Sequence, residues 1–115
     1  MDGFGKPRPM HITACSASEL ERGLVAVSRR GLPAATLVSH NFELLTKGLK
    51  KEARVVVRRF DRLCAWLARH RDEFPVGSFN PELAAEKVKP WVLPRVSPLA
   101  TTIRYGEQFL RRVRT

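Results

Sequence analysis

The side chains with chemistry to offer are three histidines, two cysteines and a thin scatter of serines and acids. His40 is the most pointed of them, because it directly follows Ala35-Thr36-Leu37-Val38-Ser39, an apolar run with the pattern of a buried strand. In parallel α/β folds ligands gather beyond the carboxyl ends of the strands. A histidine there can act as general acid or base, since its ordinary pKa lies near neutrality; the plainer alternative is a residue that caps the strand end. Ser39 beside it makes a poor dyad, because neighbouring strand residues point to opposite faces. His11, near the start of a first strand, reads as structural or exposed, and His70, within Arg69-His70-Arg71, as solvated. Asp2, Asp61 and Asp72 are scattered, and no Asp-Asp pair, His-x-x-x-His spacing, phosphate loop or Gly-x-Ser-x-Gly elbow exists. Cys15 and Cys64 form no CxxC, and Cys64, inside a helical apolar pattern, reads as a buried thiol in a reducing compartment.

The elements that must position His40 follow from periodicity and punctuation. Residues 1–9 form a loose lead-in, and residues 10–115 fit one small domain. Met10 to Ala14 suggests a short strand. Ser16 and Glu19 make a capping box that opens a helix carrying Leu20, Leu24 and Val27, with Arg29 and Arg30 in its last turn and Gly31 as its stop. After the run ending at Ser39, residues 46–52 read as a surface connection. From Ala53 to Arg71 the period is helical, with Val56, Phe60, Leu63 and Leu67 as the inward stripe and the arginines mostly facing away. Val76 to Phe79 could form a third strand after Pro75. Asn80-Pro81 opens a brief helix to Val88, and Ser97-Pro98 opens a last one whose buried stripe is Ile103, Phe109, Leu110 and Val113. The order predicts an α/β fold: about three short parallel strands with four helices, a partial (β/α) barrel-like fragment.

Composition bounds the partners. The chain has 115 residues, 43% of them apolar, and 21 Lys+Arg against 11 Asp+Glu give a net charge of +10. That balance points toward an anionic partner, although the arginines form no compact tract in the sequence. No stretch has the length of a signal peptide core or a membrane span, so a soluble cytoplasmic protein is expected.

Several phrases together resemble the C-terminal part of bacterial polysaccharide deacetylases, metal-dependent carbohydrate esterases with an irregular (β/α) barrel. They are Thr13-Ala14-Cys15-Ser16, the segment Thr36 to Leu45, Val57 to Cys64, Leu67 to Phe74 and Thr102 to Gln108. The resemblance implies hydrolysis of acetyl groups on a glycan, with a metal-bound water as attacking group, an aspartate base and a late histidine as acid. That histidine lies in a Leu-x-His motif, which Val38-Ser39-His40 matches with Val for Leu. By resemblance His40 is then the catalytic general acid and Val38 a wall of the acetyl pocket. The family's Asp-Asp and His-x-x-x-His motifs have no counterpart in this chain, so it would hold no cofactor of its own, where the family uses a divalent metal such as zinc. Acid, base and metal act as a unit, so a chain of this kind would be a truncated or split form, inactive alone.

Two other readings compete. Arg58 to Leu67, followed by two helices, resembles the core-binding domain of tyrosine recombinases, which implies a basic nucleic-acid-binding module whose Arg-rich last helix meets phosphates. It requires an almost wholly helical chain. The other reading is an interaction subunit that finds a complementary half, or a second copy, through the open edges of its sheet.

Overall fold

In the computed structural model, which describes residue 4 and residues 9–78 and 96–113, the chain is built on three helices. They are α1 (Ala17–Arg29), α2 (Arg54–Arg69) and α3 (Pro98–Val113), with one 3-10 turn at Asn41–Leu44 between the first two. The described residues contain no β-strand. Two isolated bridges stand in its place: a parallel one between His11 and Val38 and an antiparallel one between Leu45 and Glu52. The expected α/β, barrel-like architecture is therefore overturned.

The reason lies in where the backbone groups go. At Met10 to Ala14 the His11 carbonyl accepts from Ala14 N–H (3.0 Å) and Cys15 N–H (2.9 Å), so the chain coils into a turn that feeds the α1 cap. One ladder bond remains, Val38 N–H to the Met10 carbonyl at 3.0 Å. The segment expected to be a strand covered on both faces is mostly exposed, with only Leu37 half-buried. Residues 76–78 are irregular, and Val76 is exposed. Phe79 and the expected helix from Glu82 to Val88 lie outside the described residues.

α1 forms as its sequence dictates. Glu19 N–H donates to Ser16 Oγ (3.3 Å), and Ser16 N–H donates to Glu19 Oε2 (2.9 Å), satisfying two donors left over at the helix start. At the other end Gly31 adopts φ +63, while Leu32 N–H reaches the Val27 carbonyl and Gly31 N–H reaches Ser28. This is a Schellman closure, which a residue with a Cβ would strain. Gly23 matters for space rather than for backbone freedom. A Cβ there would meet Met10 Cε at 3.2 Å, so its absence leaves room for the Met10 side chain against α1.

The core gathers Ile12, Cys15, Leu20, Leu24, Ala53, Val56 and Leu63, flanked by Met10, Leu37, Leu44, Trp66, Leu67 and Phe74. Each fully buried aliphatic contributes about 1.5–3 kcal/mol. On α2 the expected inward residues Val56 and Leu63 are buried and Leu67 packs against the core, but Phe60 is 39% exposed and Arg59 is buried instead. Cys64 is exposed rather than buried. It borders an open hollow of about 550 Å³ along the C-terminal half of α2, lined also by Leu67, Ala68, Arg71, Pro75 and Val76.

α3 reverses its expected orientation. Its buried residues are Ala100, Thr101 and Arg104, whereas Ile103, Phe109, Leu110 and Val113 are exposed. The cause is the carboxylate of Glu19, buried while capping α1. A buried anion must be paired and hydrogen-bonded. Thr101 Oγ1 donates to Glu19 Oε1 at 2.7 Å, and Arg104 Nε lies 3.1 Å from both carboxylate oxygens. Ser16 Oγ donates to the Ala100 carbonyl (3.3 Å), and Arg59 Nε on α2 donates to Glu107 Oε2 at 2.6 Å. Polar groups thus fix α3 against both other helices. Burial opposes the charge of Arg104, but its bonds to Tyr105 and Glu19 outweigh that and raise its pKa above the ordinary arginine range.

Candidate nucleic-acid interface

The histidine that the sequence singles out lies in an open polar cluster. His40 is exposed, with its ring stacked on Phe42 (centroids 5.2 Å apart, planes 6° apart) and 6.0 Å from the ring of His11. Its backbone N–H donates to Glu43 Oε2 at 3.0 Å, which starts the 3-10 turn. Thr13 Oγ1 lies 2.8 Å from His11 Nδ1, and Glu43 Oε1 lies 3.4 Å from His11 Nε2. On paper this is a hydroxyl, imidazole and carboxylate series. The two oxygens are only 3.5 Å from each other, however, too close for both to lie along the directions of the two ring nitrogens. The geometry ties the turn at His11–Thr13 to the 3-10 turn at Glu43 without aligning a proton relay.

His40 thus loses the buried strand end that made it a candidate acid. Val38, the expected pocket wall, is 41% exposed in the single bridge to His11. Among the described residues no group of three or more His, Cys, Asp or Glu could hold a metal ion. His70 is not solvated as expected. Its ring stacks on Trp66 at 4.2 Å, and Nδ1 lies 2.7 Å from the Trp66 carbonyl, closing the end of α2.

The side chains that the fold does bring together are basic. On α2, Arg54, Arg58, Arg62 and Arg69 are all exposed, opposite the buried Val56, Arg59 and Leu63. At 3.6 residues per turn they fall within an arc of about 80° and span about 22 Å of helix. Arg62 is held by Glu21 of α1 through Nε–Oε1 (2.8 Å) and Nη2–Oε2 (3.1 Å) contacts, and that pairing raises its pKa above the ordinary arginine range. Arg54, Arg58 and Arg69 have no ion-pair partner among the described residues. The turn before α2 adds the exposed Lys47, Lys50 and Lys51. It is closed by the Leu45–Glu52 bridge and a Thr46 N–H to Lys51 carbonyl bond of 2.8 Å. Between Lys47 and Arg69 the exposed cations are thus accompanied by only two exposed acids, Glu52 and Asp61.

The last helix supplies the expected outward arginines only in part: Arg104 is buried and Arg111 half-buried, Arg112 is exposed, and Arg114 lies outside the described residues. The α2 row has a signal in the sequence, since Arg54, Arg58 and Arg62 recur every four residues. Arg59 obscures it, a cation of the same helix that turns inward to the carbonyls of Ile12 (3.2 Å) and Thr13 (3.3 Å).

No family model, curated protein or solved structure matches the chain. Among the described residues no helix is long and apolar enough to cross a membrane.

Proposed function

We propose that the protein is a basic helical nucleic-acid-binding module that lays α2 along the phosphates of duplex DNA. The observation that carries this reading is the exposed row Arg54, Arg58, Arg62 and Arg69 on the side of α2 away from the core, with exposed Lys47, Lys50 and Lys51 in the turn just before it. Cations in that arrangement release counterions from a duplex and bind without regard to sequence. The helical architecture and the Arg58–Leu67 phrase agree with a likeness to the core-binding domain of tyrosine recombinases. The net charge of +10 favours approach to any polyanion. Two free cysteines suit a reducing compartment, and the cytoplasm is the setting we assign.

The test is fluorescence anisotropy with a labelled duplex over a range of salt concentrations. The wild-type chain should bind at low salt with a steep logarithmic salt dependence. The triple variant R54A/R58A/R69A should reduce the magnitude of that slope by roughly 3, about 0.9 for each phosphate left without its arginine. No binding at low salt, or an unchanged slope in a folded triple variant, would reject the proposal.

A further inference from the structure

The outward face of α3 carries a row of exposed apolar side chains. Leu99 is 67% exposed, Ile103 43%, Phe109 66%, Leu110 47% and Val113 67%. An ordinary surface helix hides that stripe and shows its polar side. Here the polar side is engaged by Glu19, Arg59 and Ser16, so α3 cannot roll over to bury its apolar side without abandoning the Arg104–Glu19 pair.

We propose that this stripe is a self-association seam, on which two copies of the chain pair their α3 helices antiparallel across Gly106. Three observations select a second copy as the occupant. Leu99, Ile103, Gly106, Leu110 and Val113 recur at intervals of four, three, four and three residues, the spacing of a helix-pairing seam. The stripe is close to symmetric about Gly106, so antiparallel pairing sets Leu99 against Val113 of the other copy and Ile103 beside its Leu110. At the centre, a Cβ built on Gly106 would meet nothing within 4 Å, leaving the crossing point open to another backbone. Interaxial distance depends on the side chains at the contact, and glycine permits the short end of the 8–10 Å range.

Area and charge agree with this occupant. The four large seam side chains and the flanking Phe109 together expose on the order of 500 Å² of apolar surface, so a symmetric pair that also covers Phe109 would bury about 1,000 Å², the lower limit of specific interfaces. No stripe position carries a charge, so two +10 chains can meet here without placing like charges in the contact. The basic face of α2 takes no part in the seam, and self-association stands whether or not nucleic acid binds.

Sedimentation equilibrium of the full chain over a range of concentrations tests the proposal. A reversible monomer–dimer equilibrium is expected. I103E/L110E should raise the dimer dissociation constant at least about tenfold while leaving the helical circular dichroism and the dilute-solution melting temperature unchanged. In a C64S background, an equal mixture of L99C and V113C chains should cross-link mainly to the mixed disulfide dimer. A strictly monomeric wild type, or an I103E/L110E chain that dimerises as wild type does, would overturn the seam. A marked fall in melting temperature for I103E/L110E would equally overturn it, since the stripe would then be covered within one chain. Preferential L99C–L99C cross-linking would overturn the antiparallel register.

Discussion

α2 and α3 are both 16-residue amphipathic helices, yet they bury opposite kinds of face. α2 follows the ordinary rule: Val56 and Leu63 go inward and the arginines outward, with Arg59 as the exception. α3 inverts it, sending Thr101 and Arg104 inward and Leu99, Phe109 and Val113 outward. The difference arises from what each helix meets. α2 shares an apolar cluster with Leu20 and Leu24 of α1, with the Arg62–Glu21 pair at its exposed margin, so apolar side chains gain by facing inward. α3 meets the start of α1, where a buried carboxylate and a capping hydroxyl call for donors. A periodic pattern thus establishes that a helix has two faces, and its neighbour decides which is hidden.

Mutations put this contrast between the helices at risk. The largest effect should come from Arg104→Ala, which strands Glu19 in the interior and should cost about 3–5 kcal/mol by urea unfolding. On α2 the matching polar change, Arg58→Ala, should stay within about 0.5 kcal/mol, because that arginine is exposed and unpaired. Equal losses for the two arginines would mean that α3 does not dock by its polar side.

The apolar positions should show the reverse order. Leu63→Ala should destabilise by about 2–5 kcal/mol. Ile103→Ala, measured at concentrations where the chain is monomeric, should remain within about 0.5 kcal/mol. A smaller effect is expected at the shared anchor: Ser16→Ala removes the α1 cap and one bond to α3, for roughly 1 kcal/mol. The smallest belongs to His40→Ala. Its exposed ring touches only the rings of Phe42 and His11, and its melt should shift by no more than about 0.5 kcal/mol equivalent. Far-ultraviolet circular dichroism should agree, with a helical spectrum and little strand signal.

Local signals are legible wherever the deciding contacts are local. The α1 capping box needs residues only three apart, and the Gly31 stop needs one backbone that tolerates positive φ. Both features stand in the structure where the sequence puts them. The span of α2 is also legible to within two residues at either end. The run Ala35 to Ser39 misleads, because an apolar string is compatible with a strand but does not supply the neighbouring strands that would make it one. A strand there gives His40 a catalytic place and gives the family resemblance a fold to match. The structure withdraws the strand and with it the position that lent His40 its interest.

The caps, the stops, the amphipathic periods and the excess of positive charge are thus written in the chain, since each depends on residues within a turn or two of one another or on composition alone. Packing in three dimensions settles that Arg59 and Arg104 are interior, that Arg54, Arg58 and Arg69 are the arginines left free along α2, and that the apolar stripe of α3 faces outward. Those outcomes rest on Glu107 meeting Arg59 across 48 positions and on Glu19 meeting Arg104 across 85. A buried carboxylate far along the chain is what reorders the faces, and no local pattern records where it will lie.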